Sequence, residues 1–393
     1  MRQIWALTTM SLRDIPHRLG NSLVIVVGIA GVVAVLIPVL AMYQGFRATI
    51  ASDGRPDRAI VLSREATEEY DSSLSRETVA TIVNSPGVRH DARGSAIASA
   101  EIVLTAPVSR LSDHSDVSVT LRGVGPQYFA LRPELKLIAG RMFQPGTQEL
   151  LVGQSARTQF AGLQIGNAVR LQDGDWVVVG VFAGGKGARE SELVADAQTV
   201  MSVYKRDAFN SVAVALESSN RLASLREAIG RDSRLVVTAT SEPQYLASQS
   251  SGITRMLRLV TYAIGSIMAL GAVFAALNSM YSSVVKRATE TATVRAIGFS
   301  GSAMAIAVLA EAFLLALLGA AIGAALAYGV FNGVTISTLG GAVFDAQVVY
   351  SLAMPARLIL GAVALACTLG LAGGLVPAIH AARANIPRLL QET

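Results

Sequence analysis

The sequence predicts a helical membrane protein with four transmembrane helices and an extracytoplasmic (periplasmic) α+β domain inserted between the first two. Of its 393 residues, 52% are hydrophobic and only 16% are charged, whereas a typical soluble domain has about 25% charged residues. The apolar residues are concentrated in four long blocks. About 200 residues of soluble composition separate the first block from the second, which places one domain between them.

The first 46 residues divide into an amphipathic helix and a first span. Residues 1–19 mix apolar residues with arginines, which is typical of a helix lying on a membrane surface. Residues 20–46, which precede Arg47, contain no charged residue. About 20 apolar residues are enough to cross the hydrocarbon core. A cleaved signal peptide is disfavoured, because its apolar region would be only about 7–15 residues long.

Residues 47–255 have the composition and punctuation of a water-soluble domain. A strand at Arg58–Ser63 precedes a helix at Ser75–Asn84, for which Ser75 is the expected N-cap. A second strand–helix–strand unit follows at residues 211–240. Two such units on either side of an insertion predict a split α+β core.

The insertion, roughly residues 101–201, is expected to be mostly strands and turns. Its clearest hairpin pairs residues 168–171 with 176–182. The stretch Gly180–Gly187 reads G-x-x-x-x-G-K-G, which resembles a phosphate-binding loop. That loop needs Ser or Thr after its Lys, to hold Mg²⁺, and a helix directly afterwards. Because Gly187 supplies neither, we interpret the stretch as a flexible loop after a strand.

The remaining chain predicts three more spans and their connections. The spans are expected at residues 256–285, 303–333 and 357–379. They are separated by a charged segment, 286–302, and a short link, 334–356, and are followed by a tail, 380–393. Lys and Arg concentrate at the N-terminus, in the charged segment and in the tail, which all lie on one side in a four-span arrangement. The positive-inside rule makes that side cytoplasmic, with both termini inside.

The third predicted span contains one acidic residue and a pair of glycines. A charge inside a span is by default a functional candidate, so Glu311 is a possible intramembrane functional residue. It lies only about 12 Å of helix rise from Ala303, and a packing role near the cytoplasmic end is the favoured alternative. Gly319 and Gly323 form a G-x-x-x-G pair that permits close helix contact. Such pairs also arise by chance in helices rich in Ala and Gly.

The sequence offers no chemistry for catalysis. A single cysteine, Cys367, excludes an internal disulfide or a zinc site built on thiolates. The four histidines show no metal-ligand spacing, and no nucleophile–base or carboxylate pair is recognisable. Basic blocks typical of nucleic-acid binding are missing as well. We therefore expect a non-enzymatic protein without a cofactor, and few spans without an ion relay argue against a secondary transporter.

Several motifs occur in a fixed order along the chain. The charged segment reads R-A-T-E-T-A-T-V-R-A-I-G-F-S from Arg287 to Ser300, Glu311 follows early in the third span, and a P-A-x-x-A-A-x-x-x-x-P pattern ends at Pro387. Earlier motifs lie at Leu137–Phe143, Glu149–Ala156 and Ile165–Phe182. Together they resemble the permeases of the MacB/FtsX/LolC-type ABC transporters, the mechanotransmission group. The departure is Thr291-Ala292, where that family has Ile-Gly.

The resemblance implies a permease that works with a cytoplasmic ABC ATPase in the bacterial inner membrane. The ATPase, expected on a separate polypeptide, would bind ATP and Mg²⁺ and drive movements of the periplasmic domain. A second permease copy is expected, either identical or a close paralogue. A periplasmic adaptor and an outer-membrane channel are further expected partners, and export or efflux is the leading function.

The resemblance also assigns the charged segment as the coupling helix that docks on the ATPase. Small residues there would permit close approach, and Arg287 and Glu290 have the i, i+3 spacing of a helical pair. The candidate coupling residues are Arg287, Glu290, Thr293, Arg295, Ala296 and Gly298.

Three alternative functions stay open at this point. One is lipoprotein release, as in LolC-like permeases. Another is FtsX-like regulation of a cell-wall hydrolase, although those proteins usually have a smaller external domain than the one predicted here. A third is a membrane receptor that works without an ATPase.

Overall fold

The computed structural model describes residues 19–172, 174–184, 187–286, 293–294, 297–337 and 348–383. In chain order, its α-helices are α1 Leu19–Ser52, α2 Arg76–Val83, α3 Tyr128–Leu131, α4 Gln154–Gln159, α5 Ala197–Val203, α6 Leu222–Arg231, α7 Glu242–Lys286, α8 Gly301–Phe331 and α9 Ala356–Arg383. Its strands are β1 Arg58–Ser63, β2 Ala98–Ser109, β3 Asp116–Val124, β4 Lys136–Gly140, β5 Glu149–Gly153, β6 Ala168–Leu171, β7 Gly174–Ala183, β8 Leu193–Asp196, β9 Ser211–Ala215, β10 Val237–Ser241, β11 Thr335–Ser337 and β12 Val349–Ser351.

The described residues divide into two compact units. The helical unit contains the chain up to Gln44, Met256–Val334 and the chain from Leu352 onward. The α+β unit contains Gly45–Arg255 and Thr335–Ser351. Each unit is described by itself below.

Among the described residues, four helices are long and apolar enough to cross a membrane. The candidate spans are Ser22–Ser52, Arg255–Lys286, Gly301–Phe331 and Ala356–Arg383. The shortest has 28 residues, which at about 1.5 Å per residue exceeds the roughly 30 Å hydrocarbon core. Together with the α+β domain inserted after the first helix, these four helices confirm the predicted fold class.

Small residues allow the apolar helices to approach closely within the helical unit. A Cβ atom at Gly319 of α8 would lie 2.7 Å from the carbonyl oxygen of Val26, and one at Gly323 would overlap the carbonyl oxygen of Ala30. Helix α9 uses the same principle, since a Cβ at Gly374 would lie 2.8 Å from the Ala312 methyl group. Close packing of this kind favours helix association in lipid. The hydrophobic effect does not drive helices together there, because the acyl chains are as apolar as the side chains.

The α+β unit is built on one mixed sheet. Its strand order is β10-β1-β9-β2-β3-β8-β5-β7-β4, and β6 pairs with β7. Among the described strand pairs, only β3–β8 and β5–β7 are parallel. Strand β1 pairs with both β9 and β10, so the two strand–helix–strand units predicted from the sequence form one continuous half of the sheet.

Local sequence signals account for several elements of this unit. Ser75 caps α2 by accepting the N–H of Thr78 at 3.1 Å, as predicted, because its side chain satisfies a donor that the helix leaves unpaired. Gly87, with a φ of +94°, turns the chain after α2. The predicted hairpin is also confirmed, since Ala168 pairs with Val177 across β6 and β7.

The connection between α8 and α9 differs from the expected short link. Strands β11 and β12 pair antiparallel and belong to the α+β unit. Ser191 Oγ accepts the N–H of Val349 at 2.8 Å, and the Tyr350 ring packs edge-on against Phe46 at a centroid distance of 5.7 Å. The described part of the link is therefore a β-hairpin fixed by both polar and aromatic contacts. Residues 338–347 lie outside the described residues.

We predict that Gly323→Ala destabilises the helical unit, because the added methyl group would overlap the backbone of α1. Overpacking of this kind costs about 1–3 kcal/mol. The matched control is Gly329→Ala on the same helix, where a Cβ meets nothing within 4 Å and alanine is the better helix former. Thermal unfolding of the purified chain in detergent measures both. Equal unfolding temperatures for the two variants would contradict the close approach at Gly323.

Candidate functional site

The predicted coupling segment is described only in part. Arg287, Glu290, Arg295 and Ala296 lie outside the described residues, whereas Thr293 and Gly298 lie within them. The Thr293 carbonyl accepts the N–H of Ile297 at 3.2 Å. The assignment of these six residues to ATPase coupling remains a prediction.

The end of this segment has a defined geometry. Gly298 has a φ of +107°, a left-handed conformation that glycine adopts without steric cost. Ser300 then caps α8 by accepting the N–H of Ala303 at 3.3 Å. Phe299 packs against the buried residues Ala303 and Ala307, whereas the neighbouring side chain of Ile297 is 74% exposed. The turn therefore presents an isoleucine on the surface directly beside a fixed helix start.

The other predicted site residues lie on α8. Glu311 is buried within the helical unit, which is compatible with either of the roles considered for it. Gly319 and Gly323 face α1, as described above.

A buried cluster of ionic side chains in the α+β unit was not predicted. Every member is less than one-tenth exposed. The members, referred to below as the charge cluster, are Arg58, Glu69, Glu101, Arg122, Arg132, Arg189, Glu192 and Glu242. Burying one unpaired charge is very unfavourable, so the arrangement of these four arginines and four glutamates requires a detailed account.

Arg122 on β3 occupies the centre of the cluster. Its guanidinium lies 2.7 Å from Glu192 Oε2, 2.8 Å from Glu101 Oε2 and 3.1 Å from Glu69 Oε1. Ser211 Oγ donates a further hydrogen bond to Glu69 at 2.6 Å. Burial acts to raise the pKa of Glu69, but the charge and hydrogen bonds of Arg122 prevail and lower it to about 2. Glu69 is therefore ionised at any ordinary pH.

Two more arginines extend the cluster toward the start of α7. Arg132 pairs with Glu101 at 3.0 Å and with Glu242 at 3.4 Å. Arg58 pairs with Glu242 at 3.1 Å and with the partly exposed Glu134 at 2.6 Å. Since Glu242 is the first residue of α7, the ion pairs connect the beginning of that helix to β1 and β2.

The fourth arginine belongs to a single turn of 3₁₀-helix, Ala188–Ser191. The Arg189 guanidinium lies 3.6 Å from Glu242, 3.9 Å from Glu192 and 4.0 Å from Glu101. These distances are longer than hydrogen bonds, and Arg189 Nε and Nη1 have no hydrogen-bond partner among the described residues. Arg189 thus contributes charge to the cluster with fewer direct bonds than Arg122.

The stretch that resembles a phosphate-binding loop ends at this turn. Gly180 lies in β7, and Gly187 precedes a short 3₁₀ turn rather than a helix. Gly187 is also buried, so the interpretation of a flexible loop does not apply to this residue. Gly185 and Lys186 lie outside the described residues. The helix N-terminus that a nucleotide site requires is not formed here.

The charge cluster has a structural character rather than a catalytic one. Its carboxylates are all paired with guanidinium groups, and the arginines lower the pKa of Glu69 and of Glu101, so that these two groups do not accept protons readily. Within the described part of the chain, no group of three His, Cys, Asp or Glu residues is placed to hold a metal ion. Satisfied buried networks rigidify the structure around them. The available signal in the sequence was a charge inside an apolar strand, as at Glu101 and Arg122.

Comparison with protein families identifies two regions of the chain. The model of the MacB-like periplasmic core domain matches residues 19–232. The model of the FtsX-like permease C-terminal region matches residues 262–386. The first match covers the first apolar helix and most of the α+β unit, and the second covers most of the remaining helices.

Two curated relatives from Neisseria gonorrhoeae, one of them from strain ATCC 700825 / FA 1090, are similar over almost the whole chain. Each is a macrolide export ATP-binding/permease protein MacB and is 25% identical over 404 residues. The alignment covers 97% of this chain and 59% of each relative. The chain thus spans about three-fifths of the length of these relatives.

Solved structures of isolated domains are similar at a lower level. The extracellular domain of the noncanonic ABC-type transporter YknZ from Gram-positive bacteria is 17% identical, with a TM-score of 0.37, 47% coverage of this chain and 99% of that one. The periplasmic region of MacB from Actinobacillus actinomycetemcomitans is also 17% identical, with a TM-score of 0.38 and coverages of 50% and 92%. At these scores the similarity carries no functional argument.

We predict that Arg122→Met strongly destabilises the α+β unit, because three buried glutamates would lose their central cation. Removing one partner of a buried ion pair costs about 3–5 kcal/mol. The measurement is thermal unfolding of the full chain followed by the fluorescence of the buried Trp176, in a Trp5→Phe background.

Arg141→Met is the matched control for this prediction. Arg141 also forms two short hydrogen bonds, both to Glu149, but its side chain is 53% exposed. Exposed pairs contribute only about 0–1 kcal/mol. Similar losses of stability in the two variants would show that burial does not decide the strength of these contacts.

Proposed function

Because the chain belongs to the MacB/FtsX-type ABC transporter permeases, with a MacB-like periplasmic core domain and an FtsX-like C-terminal region, we propose that it couples ATP hydrolysis to movement of its periplasmic domain. The hydrolysis would take place in a cytoplasmic ABC ATPase. The observation that carries this proposal is that one chain matches both a MacB-like periplasmic core domain and an FtsX-like permease region and contains four apolar helices among its described residues.

The proposed location is the bacterial inner membrane, with both termini in the cytoplasm. Basic residues flank the ends of the predicted spans that lie on one side, and the positive-inside rule assigns that side to the cytoplasm. The segment between α7 and α8 is then cytoplasmic, and the α+β unit lies on the opposite side.

Export is the proposed direction, with a periplasmic adaptor as a further partner. The support is the name of the relatives, which are macrolide export proteins. Because the chain covers 59% of their length, their ATP-binding activity and substrate are not transferred with the similarity. No described feature of the chain favours lipoprotein release or regulation of a cell-wall hydrolase over export.

Ile297 is the residue in the described part of the coupling segment that best fits a docking role. It is large, apolar and 74% exposed, and it is held between the left-handed Gly298 and the turn bonded to Thr293. Exposed apolar side chains on a rigid support are typical anchors of protein interfaces. We therefore add Ile297 to the coupling residues proposed from the sequence.

We predict that Ile297→Asp reduces recovery of the ABC ATPase with the tagged chain by about tenfold or more, the loss of roughly one interface anchor. The experiment is affinity purification from bacterial membranes, with the ATPase identified by mass spectrometry. The double variant Glu290→Lys, Arg295→Glu is expected to lose ATPase stimulation while the chain still inserts and folds.

The control is Ile138→Asp, which makes the same change at a residue on β4 that is 53% exposed. It should leave ATPase recovery unchanged, since β4 belongs to the domain proposed to lie across the membrane. If the wild-type chain recovers no ABC ATPase, the proposed function is wrong. If Ile138→Asp abolishes recovery as Ile297→Asp does, the docking role of Ile297 is wrong.

A second permease copy is proposed to cover one face of α7. Leu270, Phe274 and Asn278 recur every four residues on this face and all are exposed. The Asn278 side chain has no hydrogen bond to a described residue, and an unpaired amide in hydrocarbon is unfavourable. Pairing with a second copy would remove that penalty, because polar residues join helices in lipid.

We predict that Asn278→Leu weakens self-association several-fold, corresponding to about 0.6–2 kcal/mol for one interhelical hydrogen bond. Energy transfer between differently labelled copies in lipid vesicles, followed as the lipid is increased, measures this. Leu360→Ala on α9 is the control, because Leu360 is likewise exposed. Unchanged energy transfer in Asn278→Leu would remove Asn278 from the interface.

A further inference from the structure

Asp53, which directly follows α1, is a buried carboxylate outside the ion pairs. It is 6% exposed, and its Oδ2 accepts the backbone N–H of Arg189 at 3.0 Å. Gly187 lies so close to this carboxylate that a Cβ atom there would overlap Oδ1. Within the described part of the chain, no basic side chain lies within 4.0 Å of Asp53. The backbone N–H of Arg189 thus holds Asp53 against the turn.

The turn that receives Asp53, Gly187–Glu192, connects several parts of the α+β unit. Its Ser191 hydroxyl accepts the N–H of Val349 on β12. Its Glu190 carboxylate accepts the N–H of Gly184 after β7 at 2.6 Å, and the Glu192 carbonyl accepts the N–H of Gly153 at 3.0 Å. A change at Asp53 therefore reaches β5, β7 and β12 through one short turn.

The charges that surround Asp53 leave little compensation for another anion. The charged groups that act on the carboxyl group of Asp53 are Arg189 and Glu192 of the turn and Glu242 of α7. The four guanidinium groups of the cluster lie within 4.0 Å of its own four glutamates or of Glu134. Carboxylates thus already outnumber guanidinium groups before Asp53 is counted, and an ionised Asp53 adds uncompensated charge to a buried region.

We propose that Asp53 is a proton-operated latch, which holds the turn Gly187–Glu192 closed when protonated and loosens it when ionised. A neutral carboxyl group still accepts the Arg189 N–H, and it adds no charge to the cluster. The ionised carboxylate can also accept the Arg189 N–H, but its negative charge is repelled by Glu192 and Glu242. The latch accounts for Gly187 as well, because the glycine provides the space in which the carboxyl group lies.

The direction of the pH dependence follows from the environment of Asp53. Burial raises the pKa of its carboxyl group from 3.8 to about 6, against the opposing charge and N–H of Arg189. Protonation of Asp53 therefore stabilises the closed state of the turn, and this stabilisation is complete at pH values below 3.8, the ordinary pKa of the group. The stabilisation is lost as the pH rises through about 6. Glu69 behaves in the opposite way, since its pKa of about 2 keeps it ionised throughout this range.

The test is hydrogen–deuterium exchange of the full chain in lipid nanodiscs at about pH 5 and about pH 7.5, corrected for intrinsic exchange rates. Peptides covering residues 187–192 are expected to exchange about tenfold faster at the higher pH. This ratio follows from carboxyl pKa values of about 6 in the closed state and 3.8 in the open state. Asp53→Asn, a neutral carboxamide of the same shape, should show the slow exchange at both pH values.

Asp57→Asn is the control, because Asp57 is partly exposed and pairs with Arg55 at 3.3 Å; it should retain the wild-type pH dependence. The latch is refuted if the corrected exchange of the wild-type turn is equal at both pH values. It is also refuted if Asp53→Asn keeps the wild-type dependence. The measurement needs no ATPase, so its outcome is independent of the proposed function.

Discussion

The α+β unit depends on the position of one guanidinium group, that of Arg122. Three glutamates from separate parts of the chain, Glu69, Glu101 and Glu192, converge on it within 3.1 Å. Each of these charges would be very unfavourable in the interior if its partners moved away. The elements that carry them are consequently restricted to one mutual arrangement. Apolar packing alone tolerates small displacements more readily, because it is not directional.

The helical unit is specified by a different constraint. Apolar side chains gain little by leaving lipid for a neighbouring helix, so contact geometry decides which helices meet. Gly319 and Gly323 bring the backbone of α8 onto α1, and Gly374 brings α9 onto Ala312. Buried ion pairs thus determine the arrangement of the α+β unit, whereas glycines determine which apolar helices pack closely together.

Features with a local cause could be predicted from the sequence. The four apolar helices follow from composition, the cap of α2 follows from Ser75, and the β6–β7 hairpin follows from alternating residues around a turn. The charge cluster could not be predicted, because Glu101 and Glu242 meet through Arg132 only after the sheet has aligned distant strands. The β11–β12 hairpin was missed because strands of three residues give almost no periodic signal. Of the predicted coupling residues, Thr293 and Gly298 fall in the described part, and their role depends on a partner.

The two constraints together bear on how the proposed movement would be transmitted. Force applied at a helix end moves a domain as a body only if the elements at that end are fixed to the rest of the domain. In the α+β unit, Glu242 at the start of α7 is held by Arg58 and Arg132, and Asp53 after α1 is held by the turn at Arg189. The α+β ends of both helices are therefore attached to the sheet by buried polar contacts, and the contact at Asp53 is the one that involves a carboxyl group with a pKa near 6. Rigidity at Glu242 and adjustability at Asp53 thus arise side by side, because Glu242 has guanidinium partners within hydrogen-bond or ion-pair distance, whereas Asp53 is bonded to a backbone N–H and burial outweighs the attraction of Arg189.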